Sequence, residues 1–246
     1  MTSGWRRIGC RISIGANAIC AVFAILYLVR RGMVSREAEQ REATFYAQRA
    51  SRFESLPTVR RGIVFLGDSL TDGGEWGEMF GDATITNRGI PGDTTRGVLA
   101  RLGAVTAGAP TKVFLMIGVN DLEAGAPVDD IAANVGHILA AIEAQTPETA
   151  VFVQSALPVR AALVAGPIRN SDIAALNRRL EAVSAEHQVR YVDVASALSD
   201  ASGELDARYT LDGIHLTGAG YAAWKRVIEE LVRSGRPSPP TPSPGN

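Results

Sequence analysis

Five short apolar runs, set between helical patterns, constrain this chain of 246 residues more than any other feature. They are "IVFL" (63–66), "ATIT" (83–86), "KVFLMI" (112–117), "AVFVQS" (150–155) and "VRYVDV" (189–194). Each has the length of a strand. Val128–Ala144 follows Pro127, a suitable first helical residue, and Asp172–His187 follows Ser171, a suitable cap. Ile173, Leu176, Leu180 and Val183 fall on one stripe of that second helix. Tyr221, Trp224, Val227, Ile228 and Leu231 stripe a last helix that Gly235 closes. Such alternation predicts an α/β fold, a parallel sheet with helices on both faces. The sequence has no internal repeat.

The flanks differ from this body. "ISIGANAICAVFAILYLV" runs from Ile12 to Val29 without a charge. Eighteen residues at about 1.5 Å rise span ~27 Å, enough for a slightly thin bilayer core. Arg6, Arg7 and Arg11 precede the run, and Arg30 and Arg31 follow it. The run ends in "LYLVRRGM", without the small-residue site of a cleavable signal. An uncleaved anchor, with the amino terminus inside and the domain outside, is therefore expected over a signal peptide or a buried core helix. Ser35 to Leu56 reads as a connecting helix that Pro57 ends, with Phe45, Arg49, Phe53 and Leu56 near one face. "RPSPPTPSPGN" (236–246) has the composition of a disordered tail.

Charge and cysteine content exclude whole classes of function. Residues 1–59 carry a net +5 and residues 60–235 a net −7. An acidic body argues against nucleic acid, because phosphate binding needs a basic face. The two cysteines, Cys10 and Cys20, both lie in the N-terminal segment, so the body holds no disulfide and no thiol nucleophile. Three scattered histidines give no metal-ligand spacing, and no phosphate-binding glycine loop with lysine is present. Neither a metal nor a cofactor is expected.

In an open α/β sheet the ligand sits outside the carboxyl ends of the strands. "GDSLTDG" follows the first run, "NRGIPGDTT" the second and "GVNDL" the third, and "DGIHLTGAGY" stands before the last helix. A serine hydroxyl needs a base within hydrogen-bond reach, and that base needs an orienting partner. His215, in a loop, suits the base, whereas His137 and His187 lie in predicted helices. Asp212, three residues before His215, suits the orienting carboxylate, with Asp206 as its nearest competitor. The N–H groups of Ser69 and Gly89 and the amide of Asn120 suit the oxyanion, and a glycine at 89 permits close backbone approach. Asp68 and Asp93 suit loop bracing through backbone N–H groups.

These blocks, in order and spacing, resemble those of the SGNH/GDSL hydrolases, whose four letters fall on Ser69, Gly89, Asn120 and His215. "GDTTRGVLARL" and "HLTGAGYAAWKRVIEEL" are similar to the branch containing platelet-activating-factor acetylhydrolase catalytic subunits and bacterial acetyl esterases. The resemblance implies a flavodoxin-like three-layer α/β/α sandwich with a five-stranded parallel sheet, no cofactor, and ester hydrolysis. The expected organisation is an anchor over 1–31, a helical connector over 32–57, the hydrolase domain over 58–235 and a tail over 236–246. The expected activity is a membrane-tethered serine esterase acting on a small-molecule or glycan ester. An acyltransferase with the same triad, and a non-catalytic surface-binding module, stay open as alternatives.

Overall fold

The computed structural model describes Arg30 and residues 40–56, 59–164 and 166–235. The chain divides into two compact units, Met1–Gln48 and Arg49–Asn246. In the first, residues 40–48 are helical. Among the described residues no helix is long and apolar enough to cross a membrane. The segment 12–29, both cysteines and the tail 236–246 lie outside the described residues.

The second unit opens with helical residues 49–55 (α1). It then alternates β1 (Ile63–Gly67), α2 (Ser69–Asp72), α3 (Trp76–Phe80), β2 (Ile85–Gly89), α4 (Thr95–Ala100), α5 (Gly103–Thr106) and β3 (Lys112–Met116). α6 (Val119–Glu123), α7 (Val128–Gln145), β4 (Ala150–Gln154), α8 (Asn170–Glu186), β5 (Arg190–Val192), α9 (Ala195–Leu198) and α10 (Gly218–Arg233) complete it. All five strands are parallel, in the order β2-β1-β3-β4-β5. This is the flavodoxin-like order, in which the sheet changes its direction of winding between β1 and β3 and opens a crevice at their carboxyl ends.

Side chains alternate across each strand, so the sheet feeds two cores. Val64, Leu66, Val113, Leu115, Val151 and Val153 meet Val98 of α4 and the apolar stripes of α7 and α8. Ile63, Phe65, Phe114, Met116, Phe152 and Val192 meet Trp76, Phe80 and the stripe of α10. Phe65, Phe114 and Phe152 sit at matched positions of β1, β3 and β4 and stack at 4.9 and 4.7 Å between centroids. Trp76 stacks on Phe65 at 4.1 Å.

Several boundaries differ from the sequence expectation, each for a local reason. β2 begins two residues late because Asp82 Oδ1 accepts from both the N–H and the hydroxyl of Thr84, holding Ala83 and Thr84 in a turn. "NRG" is therefore the end of the strand rather than the loop after it. β5 is only Arg190–Val192. Pro127 is the extended N-cap of α7, not its first residue. α8 starts at Asn170, so Ser171 does not cap it; the Asn170 amide instead exchanges two hydrogen bonds with the Val159 backbone. Gly235 does not close α10: Ser234 is its C-cap, and the buried Lys112 ammonium donates to the carbonyls of Leu231 and Val232. On the expected face of the connecting helix only Phe53 is buried; Phe45 and Leu56 are about half exposed.

Candidate active site

β1 ends at Gly67, and the chain turns at once into α2, whose first residue is Ser69. Asp68 makes this turn. Its Oδ1 accepts from the Leu70 N–H at 3.0 Å, while its Oδ2 is buried without a hydrogen-bond partner. Burial raises the Asp68 carboxyl to about 7; Asp93 and Asp121 add to the rise, and the Leu70 N–H and His215 oppose it. The Tyr221 hydroxyl of α10 donates to the Leu70 carbonyl at 2.9 Å and ties the last helix to α2.

The loop before α10 brings His215 across. An antiparallel bridge between Thr210 and Leu216 closes it, and the Arg160 N–H donates to the Gly213 carbonyl at 2.9 Å. Gly213, at φ 91°, turns the chain where a Cβ would lie 2.9 Å from Leu163 and Val164. Asp212 Oδ1 accepts from the N–H groups of Ile214 and His215 at 2.9 and 2.8 Å. Asp212 Oδ2 lies 2.7 Å from His215 Nδ1. Burial pushes the Asp212 carboxyl up, but the Ile214 N–H, the His215 ring and the His215 N–H outweigh it and hold the group well below the usual range. An ionised carboxylate only accepts, so the ring proton sits on Nδ1. His215 Nε2 is then the acceptor facing Ser69 Oγ, at 3.1 Å. The Asp212 and His215 side chains are 57% and 53% exposed, so the pair opens directly to solvent. Asp206, the competing carboxylate, pairs with Arg208 at 2.7 Å instead.

Two further loops reach the same edge. Gly89 ends β2 against α2, where a Cβ would lie 2.2 Å from the Asp72 nitrogen and 2.8 Å from the Asp68 carbonyl, so no side chain fits. Its own N–H donates to Asn87 Oδ1 at 2.8 Å. Asn120 lies in the first turn of α6, and its Nδ2 donates to the Asp93 carbonyl at 2.8 Å. One amide hydrogen remains beyond that bond. The Ser69 N–H belongs to the first turn of α2, which supplies it no acceptor within the helix. His137 lies in α7 and His187 caps α8, away from this loop cluster.

Three bracing groups escaped the sequence reading. Asn87 Nδ2 donates to the carbonyls of Thr71, Asp72 and Gly74 while Oδ1 holds Gly89, so one amide clamps α2 to β2. Arg101 Nε donates to Asp93 Oδ2 at 2.7 Å, and its Nη2 donates to the Gly67 carbonyl at 3.1 Å. Asp121 accepts from the N–H and hydroxyl of Thr95, joining α6 to α4. Asn87 sits in a segment that reads as loop, and Arg101 acts 34 residues from Gly67, beyond any local pattern.

The model of the GDSL-like Lipase/Acylhydrolase family matches residues 65–223, from the strand before the serine to the helix after the histidine. The chain belongs to this family. It is thereby a carboxylic ester hydrolase. Platelet-activating factor acetylhydrolase IB subunit alpha2 of Homo sapiens is 28% identical over 177 residues, covering 69% of this chain and 75% of the relative. A protein of Streptococcus pneumonia, provisionally described as a platelet activating factor, superposes with a TM-score of 0.77 at 31% identity, over 82% of this chain and 99% of its own. A GDSL-like lipase from Bacteroides thetaiotaomicron gives 0.64 at 25% identity, over 76% and 96%.

Proposed function

We propose that this GDSL acylhydrolase is a membrane-tethered serine esterase acting on short-chain, acetyl-type esters through Ser69, His215 and Asp212. The observation that carries the reading is the unbroken line from Ser69 Oγ to His215 Nε2 at 3.1 Å and from Nδ1 to Asp212 Oδ2 at 2.7 Å. Ser69 Oγ attacks the ester carbonyl as its proton passes to Nε2. Asp212 fixes the tautomer beforehand and stabilises the imidazolium that forms. The Ser69 N–H and the second amide hydrogen of Asn120 face the developing oxyanion. The Gly89 N–H, which donates to Asn87 Oδ1 at 2.8 Å, is the third candidate donor beside them. His215 then returns the proton to the leaving alcohol, and a water, deprotonated by the same imidazole, resolves the acyl-enzyme.

Two considerations favour a short acyl group. The acetylhydrolase relatives act on an acetyl group by name. The connections 88–111 and 156–170 are rich in Gly, Ala and Pro, with few large side chains to wall a long-chain tunnel. Tethering rests on the uncharged run 12–29 and its arginine flanks, and places the domain on the extracytoplasmic side.

A chain-length series of p-nitrophenyl esters beside acetylated glycans tests the reading. Acetate and butyrate are expected to give a higher kcat/KM than dodecanoate, and Ser69→Ala to lose essentially all turnover while staying folded. A kcat/KM that rises with chain length overturns acetyl preference. Activity retained in Ser69→Ala overturns the triad. Acyl transfer to a sugar hydroxyl in preference to water makes the protein a transferase.

A further inference from the structure

We infer that Phe53, which lies before the family-matched segment 65–223, is a positioning residue for the nucleophile and oxyanion loops. The inference rests on the triad reading above. Between residues 49 and 56 Phe53 is the one buried side chain, 6% exposed. Aliphatic packing alone does not describe its surroundings. Three guanidiniums approach the ring, with the Cζ atoms of Arg49, Arg88 and Arg101 at 5.0, 4.9 and 5.7 Å from its centroid.

Each guanidinium runs to a different part of the site. Arg49 Nη2 donates to Asp72 Oδ1 at 2.6 Å, at the end of the helix that Ser69 begins. Arg88 Nη1 donates to the carbonyl of Asn87, the residue whose amide clamps α2 to Gly89. Arg101, with its side chain 5% exposed, grips the Gly67 carbonyl two residues before Ser69 and the carboxylate of Asp93. The Asp93 carbonyl in turn accepts from Asn120. Phe53 thus touches the supports of Ser69, Gly89 and Asn120 together.

The electrostatics explain why an aromatic ring stands here. Among the described residues only Asp72 and Asp93 form ion pairs with the cluster, and Arg88 has no carboxylate paired with it. Burial, then the charges of Arg101 and Arg49, hold the Arg88 guanidinium below its ordinary range. The negative face of a π-system attracts a cation, and an aliphatic side chain of similar volume does not. Without the ring, mutual repulsion spreads the three arginines and slackens the carbonyls and carboxylates they hold. Displacement of reacting groups by about 1 Å can cost ~10²-fold in rate.

The test compares Phe53→Leu and Phe53→Tyr in the full-length chain. Leucine keeps apolar bulk and removes the π face; tyrosine keeps both. Phe53→Leu is expected to lower kcat about tenfold or more with KM within about threefold, and to slow fluorophosphonate labelling of Ser69 in parallel. Phe53→Tyr is expected to restore both to within about threefold of the parent. Equal kcat in the two variants, whatever their thermal midpoints, overturns the inference and leaves Phe53 as packing. Failure of the triad reading shows separately, as labelling of the parent chain that survives Ser69→Ala.

Discussion

Asp68 carries two opposing demands in one side chain. Its Oδ1 is needed to start α2, yet its whole carboxyl is buried beside Asp93 and Asp121, with Oδ2 unpartnered. Burial first, and those two carboxylates after it, raise the group from an ordinary 3.8 to about 7. Between about pH 4 and 7 the unfolded chain has released this proton and the folded chain has kept it. Folding therefore binds a proton in that window, and this group's contribution to stability falls as pH rises, levelling above 7. An asparagine in its place keeps the cap without the titration. The stability of Asp68→Asn relative to the parent is expected to climb from about pH 4 to pH 7.5, by an amount on the order of 2–4 kcal/mol, read from denaturant unfolding of both chains across the range. An offset that stays flat would show the folded carboxyl to be ionised throughout. The three residues that the candidate site brings together were legible because the chemistry sought is tied to residue type: a serine, a histidine and an aspartate three positions before it. Asn87 was not, since an amide that bonds four backbone groups looks in sequence like any turn asparagine. Phe53 was half legible. Its helical stripe pointed inward, but nothing local told that the partners would be cations.

Elements show a similar split. β1, β3 and β4 were fully visible as apolar runs, because strands buried on both faces of a parallel sheet have few polar positions to blur them. The edge strands β2 and β5 showed only in part, since Thr86, Asn87 and Arg190 break their apolar pattern. Strand ends were less visible, because ends are set by hydrogen bonds between distant segments. Lys112 is the clearest case. In "KVFLMI" it reads as a polar residue at the mouth of a strand, yet its ammonium is the closure of α10, some 120 residues on. A cation at the carbonyl end of a helix also complements its dipole. Lys112→Met is expected to lower the thermal midpoint by roughly 5–10 °C, given about 2–3 kcal/mol for charged hydrogen bonds lost. The kcat should be unchanged, since Lys112 opens β3 and the catalytic loops leave its other end. A midpoint within about a degree of the parent would show that water replaces the ammonium at no cost.

At the scale of the whole chain, the body from β1 to α10 coincides with the family match, and the sequence blocks mark both of its ends. The second compact unit starts earlier, at Arg49, so the last turns of the expected connector belong with the catalytic body. The proposed anchor is tested by fractionation. Full-length protein is expected with membranes and resistant to carbonate extraction, and a mature chain beginning within residues 20–40 would replace the anchor by a cleaved signal. The stacked phenyl rings of β1, β3 and β4 also set the level at which the chemistry stands. Ser69 comes four residues past Phe65 and Asn120 six past Phe114, so the aromatic row works as a vernier scale for the catalytic edge. A slip of one notch on either strand would turn its ring to the opposite face of the sheet. The graduations are sealed deep in the core, and the reading is taken at the surface, where Ser69 and Asn120, the proposed nucleophile and oxyanion donor, must meet one ester at the same height.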